Sequence, residues 1–399
     1  MKIGILREEK IPLDRRVALT PEQCRLVMDK YPSIEILVRS SAHRCYSDDM
    51  YQELGIKVVD QLDDCDILIG IKEVPVNSLI KNKTYLFFSH TIKKQEYNRD
   101  LLLAMVNSNI QMIDYEVLKN DHGKRIIGFG RYAGVVGAYN GLLAYGLKKK
   151  LYRLKPAYSC RDRKEMEMEF KKILLRNEKI IVTGKGRVGK GIMEIINSLA
   201  IREVSKTDFI EKSFSEPVCV HLDYMDYYER KDDGVFIKND FYNNPDKYRS
   251  SFMKFASVGD IFIAGHYYSK DAPFLFTRDD AKKSDFNLSV IADVSCDIDG
   301  PVASTIRPST ILDPIYGYNP ILEKEDDFTN NSTIAVMAVD NLPCELPKDA
   351  SLDFGEELIN NIFPLLVQEN HDTILDATIC KEGKLTLNFE YLTDFLYQD

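Results

Sequence analysis

Short apolar runs alternate with amphipathic stretches through the first third of the chain. MKIGIL, IEILV, IKVV, DILIGI, TYLFFSH and IQMIDYEVL read as strands, while PEQCRLVMDKY, DDMYQELG and YNRDLLLAMVNS carry apolar residues at helical spacing. Strands that are apolar along their whole length and separated by helices predict a parallel sheet with both faces covered. Residues 134–150, GVVGAYNGLLAYGLKKK, keep the helical spacing and end in lysines, whose charge suits a helix C-terminus, so they read as a connecting helix. A charged helix expected around 161–176 leads into a second α/β region, where KIIVTGKGRVGKGIMEIINSL, DIFIAG and NLSVIADVS repeat the strand-loop-helix pattern. The tail from 343 has a helix, GEELINNIFPLLVQEN, but too few strands for a domain, and is expected to pack back on the first region. Polar stretches at 228–233 and 323–333 read as surface loops, and the tyrosine-rich HLDYMDYYER suggests no element.

The composition narrows the classes of function. A chain of 399 residues, 44% of them hydrophobic, exceeds one ordinary core and can bury enough apolar surface for two domains. Its 53 basic and 62 acidic residues give a net charge of −9 without a basic stripe, which argues against nucleic acid as a partner. The start, MKIGILREEK, is too short in apolar residues for a signal-peptide core, and no run approaches the roughly 18 apolar residues of a membrane span. Eight dispersed cysteines, with no CxxC pair and no Cys/His spacing suited to zinc, point to reduced thiols and no metal site. The expectation is a soluble cytoplasmic protein.

Chemistry concentrates in two places. After the apolar run KIIVT, Gly184, Gly186 and Gly189 fall on the GxGxxG spacing and a helix follows. Glycines so placed permit a tight turn and let backbone N–H groups and a helix N-terminus approach a pyrophosphate. Asp208, 19 residues after Gly189, is the candidate for the ribose hydroxyls of NAD, although the run before it is poorly apolar for a strand. Lys206 and Arg202 beside it leave NADP open. In the first region several apolar runs end on chemical side chains: Lys72 after DILIGI, His90 after TYLFFS and Glu116 after IQMIDY, with Arg16 and Arg125 in the following loops. A lone lysine at a strand end is ordinarily solvated. In a parallel sheet, however, ligands collect at the carboxyl ends of the strands, which would bring this set around one site. Cys296 lacks an identifiable base and reads as a packing residue.

DRRVALTP, GIKEVP and the SH closing an apolar strand resemble the first domain of the alanine dehydrogenase and transhydrogenase superfamily. YEVLKNDHGKRIIGFGRYAGVVGA, DIFIAGHYYSKDAPFLF, IADVSCDIDGP and VDNLPCELPKDAS resemble, along nearly the whole chain, the branch containing lysine-forming saccharopine dehydrogenase and lysine-ketoglutarate reductase. The resemblance implies an α/β fold of two Rossmann-like domains with parallel sheets, the second inserted in the first, and a cleft between them. Residues 1–133 with 343–399 would form the substrate and catalytic domain, and 134–342 the dinucleotide-binding domain.

It also implies that Lys72 and His90 are the acid-base pair and that Arg16, Lys93 and Arg125 anchor substrate carboxylates. Glu116 would modulate the charge around the lysine, and Asp340 would lie near both substrate and nicotinamide. Arg187, Val188, Tyr267 and Val294 would line the cofactor, with Lys185 and Val188 departing from the expected loop. The implied activity is NAD-dependent oxidative cleavage of saccharopine to L-lysine and 2-oxoglutarate, with small amino-acid and 2-oxo-acid partners. The alternatives are the NADPH-dependent reductase, an alanine dehydrogenase-like enzyme and a catalytically silent dinucleotide-binding paralogue.

Overall fold

A computed structural model describes residues 1–268, 270–368 and 371–397. The chain falls into two compact units, Met1–Phe129 with Pro347–Asp399, and Gly130–Leu346. Its strands in order are β1 (Lys2–Ile5), β2 (Glu35–Arg39), β3 (Lys57–Val59), β4 (Ile67–Ile69), β5 (Thr84–Phe87), β6 (Gln111–Asp114), β7 (Lys179–Thr183), β8 (Arg202–Glu203) and β9 (Val218–Leu222). Then follow β10 (Tyr228–Arg230), β11 (Tyr248–Ser250), β12 (Ile261–Ala264), β13 (Val290–Asp293), β14 (Ile315–Asn319), β15 (Lys324–Asp326), β16 (Ile334–Met337), β17 (Thr378–Lys381) and β18 (Lys384–Leu385). Among the described residues no helix is long and apolar enough to cross a membrane.

The first unit is built on one sheet in the order β18-β17-β6-β5-β4-β1-β2-β3. The chain leaves β1 toward β2 and β3, then returns to pair β4 on the other side of β1, with Ile3 opposite Ile67 and Ile5 opposite Ile69. Alternation sends Leu86 and Phe88 to one core and Tyr85 and Phe87 to the other, so both faces are packed. Each such side chain contributes roughly 1.5–3 kcal/mol by leaving water. Helix α1 (Pro21–Lys30) starts on a Thr20–Gln23 capping box with Pro21 in its first turn, and buries Cys24 and Val27. Helices α2 (Asp48–Glu53) and α3 (Arg99–Asn107) follow β2 and β5. The tail adds an antiparallel hairpin to the expected parallel sheet: β17 pairs β6, and Glu382–Gly383, both at positive φ, turn it into β18. The tail helix is interrupted. Helical Pro347–Glu357 gives way to a π turn at Leu358–Ile362 just before Pro364, which cannot donate the next helical bond; Glu369 and Asn370 of the expected helix lie outside the described residues.

The second unit opens with α4 (Gly130–Lys149), and the charged stretch after it is a short helix α5 (Arg163–Glu167) continued by a 3₁₀ turn. Helix α6 (Arg187–Ser198) packs against α4 backbone to backbone. A Cβ on Gly134 would lie 2.0 Å from the Val188 carbonyl, and one on Gly191 would lie 2.0 Å from the Arg131 carbonyl. The sheet order is β15-β14-β16-β13-β12-β7-β9-β8, parallel except for β14 and β15. The polar stretch expected to loop over 323–333 therefore supplies edge strand β15, and 228–230 form β10. Helices α7 (Lys206–Glu211) and α8 (Tyr224–Tyr227) flank β9, and HLDYMDYYER runs from β9 through α8 into β10, with Tyr227 and Tyr228 in the core.

Candidate active site

In the first sheet the order reverses between β1 and β4, and at such a switch point the carboxyl ends of the strands leave a crevice. Lys72 stands three residues beyond β4, half-buried. Burial, and then the guanidinium of Arg16, disfavour its ammonium form and move its pKa below the usual lysine value. Its neighbour Glu73 reaches across to β5, where Oε1 lies 2.6 Å from Nδ1 of His90, and both of its oxygens accept from Nζ of Lys10 at 2.8 Å. Burial alone would raise the Glu73 carboxyl, but the hydrogen bonds from His90 and Lys10 outweigh it and bring it to about 2. An ionised carboxylate can only accept, so Nδ1 of His90 carries the proton and Nε2 is left to exchange one. His90 itself is held at φ 54°, in the left-handed region.

A second carboxylate joins β5 and β6. Asp114, fully buried, accepts from the backbone N–H of Ser89 at 3.1 Å and of Glu116 at 2.7 Å, which fixes the residues on either side of the crevice. Burial lifts its carboxyl to about 6 despite the hydrogen bond from Ser89. Glu116 lies 3.3 Å from Nζ of Lys93 and 3.9 Å from Nη1 of Arg125, and both cations are about half exposed. Arg16 differs from the expected open anchor. Its side chain is 1% exposed, paired with Asp14 at 2.5 Å and stacked 4.1 Å from the Phe129 ring, so here it acts on Lys72 as a buried charge.

In the second unit the glycine turn joins β7 to α6. Gly184 sits at φ 88°, where a Cβ would lie 2.4 Å from the Gly265 carbonyl, and a Cβ on Gly189 would lie 1.6 Å from the Gly184 carbonyl. Gly186 caps α6 without a side chain and faces open space. First-turn N–H groups at such a cap point along the helix axis and can bind an anion, and the cradle fits a dinucleotide pyrophosphate. Arg187 and Val188 start α6. Val294 packs against α4 at Gly137, Tyr267 is 94% exposed, and Asp340 is exposed three residues after β16.

Asp208 is displaced from its expected place. It lies in the first turn of α7, pairs with Lys212 and is 39% exposed, and the strand before it, β8, is the sheet edge rather than the neighbour of β7. That neighbour is β9. It carries His221, whose Nε2 is 2.7 Å from the Gly184 carbonyl, and is followed directly by Asp223. The apolar run VCVHL was the available sequence signal for it. Sequence reasoning likewise gave no role to Glu73, Lys10 or Asp114, whose partners are distant in the chain.

Residues 4–136 match the family model described as alanine dehydrogenase/PNT, N-terminal domain. The chain is 27% identical to an alpha-aminoadipic semialdehyde synthase of Arabidopsis thaliana over 98% of its own length, and spans 41% of that protein. It is 26% identical to a saccharopine dehydrogenase [NAD(+), L-lysine-forming] of Schizosaccharomyces pombe, with 92% of this chain and 93% of that one aligned. In fold it matches an L-alanine dehydrogenase with a TM-score of 0.65 at 15% identity, covering 99% of this chain and all of the other. The chain spans about half the length of the semialdehyde synthases it matches. Residues 4–136 are thus similar to the alanine dehydrogenase/PNT N-terminal domain, and the chain as a whole resembles the saccharopine dehydrogenases and alpha-aminoadipic semialdehyde synthases in sequence and alanine dehydrogenase in fold.

Proposed function

We propose that the protein is an NAD-dependent oxidoreductase that cleaves saccharopine reversibly to L-lysine and 2-oxoglutarate. The observation that carries this reading is that Lys72, its ammonium disfavoured, is followed in the chain by Glu73, whose carboxylate fixes the tautomer of His90. Oxidising a secondary amine requires the nitrogen to lose a proton while the adjacent carbon gives up hydride. Lys72 takes that proton. When bound, the nicotinamide accepts the hydride, and Gly184, Gly186, Gly189 and Arg187 hold the dinucleotide. Nε2 of His90 deprotonates the water that adds to the resulting imine, and returns a proton to the nitrogen as the carbinolamine C–N bond breaks. Saccharopine, NAD⁺ and water thus give lysine, 2-oxoglutarate, NADH and one released proton. Lys93 and Arg125 bind substrate carboxylates, with Glu116 balancing their charge and Arg16 acting through its field; Val188, Val294 and Tyr267 line the cofactor, and Asp340 serves both substrate and cofactor.

A second reading, the reverse reaction with NADPH, is favoured by the end of β9. Lys206 is held there by Asp226 of α8 and is the cation that a 2′-phosphate would recruit, against the Asp223 cap, which suits ribose hydroxyls. Absorbance at 340 nm, with saccharopine or with lysine plus 2-oxoglutarate against each of the four nicotinamide nucleotides, separates the two directions and cofactors. Turnover of alanine alone, or of no substrate, would remove both.

A further inference from the structure

The ladder between β1 and β4 closes with the bond from Leu6 N to the Ile69 carbonyl at 2.8 Å. Beyond it the strands diverge. Gly70 N turns to the Leu86 carbonyl, and the Ile71 carbonyl accepts from Phe88 N, so β5 occupies one side of this segment. The N–H groups of Ile71 and Lys72 face the other side, where β1 no longer runs. The Glu8 carboxylate takes both: Oε1 accepts from Ile71 N at 2.7 Å and Oε2 from Lys72 N at 2.8 Å. Glu8 is 9% exposed and enters across 63 residues of sequence, standing where the next strand residue would have been. The main chain makes room for it. A Cβ on Gly70 would lie 3.3 Å from Glu8 Oε1 and 3.0 Å from Leu6 Cδ1.

We infer that Glu8 is a positioning residue for the reaction at Lys72: its bidentate grip sets the backbone from which Lys72 and Glu73, and through Glu73 the His90 ring, are aimed. This rests on the reading of Lys72 as the base. A carboxylate accepts two N–H bonds with equivalent oxygens, whereas an amide offers one oxygen and sets its NH₂ against the second N–H. Burial, and then Asp14, raise the Glu8 carboxyl to about 8 against the pull of the two N–H bonds and of Arg16, so the variants are compared at pH 9, where the carboxylate holds both N–H groups.

The test compares Glu8→Gln, Glu8→Asp and Gly70→Ala with the parent. Its two readouts are saccharopine turnover and the backbone amide of Lys72 in protein labelled with ¹⁵N-lysine, a resonance identified by its absence from Lys72→Met. Glu8→Gln and Gly70→Ala should lower kcat on the order of 10- to 100-fold, the scale expected when a reacting group is misplaced by about 1 Å, with KM changed less than about threefold. Both should shift the Lys72 amide and speed its exchange, and Glu8→Asp should recover part of both effects. Should Glu8→Gln not fold, Gly70→Ala carries the same expectation with the charge intact. An unmoved Lys72 amide in a folded variant overturns the inference whether or not activity falls, as does full activity beside a moved amide. Absence of turnover in the parent would instead sink the proposed reaction, while the amide still reports whether Glu8 holds the segment.

Discussion

His90 follows β5 of the first sheet and His266 follows β12 of the second, each just past the carboxyl end of a parallel strand. His90 is half-buried, and its Nδ1 meets a carboxylate that is itself held ionised. His266 is buried, its Nδ1 lies 2.7 Å from the Thr183 hydroxyl, and among the described residues Nε2 has no hydrogen-bond partner. Burial alone pushes its pKa down to about 4 and keeps it neutral. The same topological position thus yields a group equipped for proton exchange where an anion lies beside it, and a locked neutral ring where none does. The sheets differ in the same way overall. The first presents side chains steadied by the buried carboxylates Glu8 and Asp114, and the second presents main chain, bared by Gly184 and Gly189.

The contrast predicts that chemistry and nucleotide binding separate cleanly by unit. Lys72→Met should lower saccharopine turnover by about 10³-fold or more, because it removes the base. NADH binding, followed by fluorescence, should stay within about twofold of the parent in that variant. Comparable loss of both would mean that the lysine serves the fold.

His266 offers a prediction in stability. Its folded pKa lies below the unfolded value of about 6.5, so the unfolded chain binds the extra proton, and the stabilisation is present above pH 6.5 and lost as pH falls toward 4. The difference across that window is about 3 kcal/mol, or roughly two powers of ten in the folding equilibrium. Urea unfolding of the parent and of His266→Asn at intervals from pH 7 to 4 should show the slope in the parent and a flatter line in the variant. Equal slopes would mean the ring is protonated in the folded protein.

Removing the anion beside His90 should have a smaller effect, since the ring remains. Glu73→Gln should lower kcat by about 10- to 30-fold, because an amide can turn its NH₂ toward Nδ1 and no longer fixes the proton there. An unchanged kcat would show that Glu73 does not act through His90.

Much of this arrangement could be read from local pattern. Strands that end on Lys72, His90 and Glu116 and a glycine turn between strand and helix are features of neighbouring residues, and periodicity reports them. What could not be read was pairing over distance. Nothing in the run around Glu8 announces that it will meet Ile71 and Lys72, and nothing in DRRVALTP says that Phe129 will cover Arg16. The expectation for Asp208 met the same limit. Counting residues from the glycine turn assumes that the next strand in sequence is the next in space, whereas REV goes to the edge and VCVHL takes the inner place.

That reversal supplies the finest test of the second sheet. Asp223 and Asp208 are both acids within reach of a residue count, but only Asp223 directly follows the strand beside the glycine turn. Ribose hydroxyls of a dinucleotide cradled at Gly186 would therefore meet Asp223, and Asp208, facing Lys212 at the surface of α7, would be a bystander. Asp223→Asn should change the ratio of NADH to NADPH affinity by about tenfold, and Asp208→Asn by less than about twofold, measured by nucleotide fluorescence at low ionic strength so that the Lys206 charge is not screened. An effect at Asp208 with none at Asp223 would require the dinucleotide to approach the outer edge of the sheet, against the strand order found here.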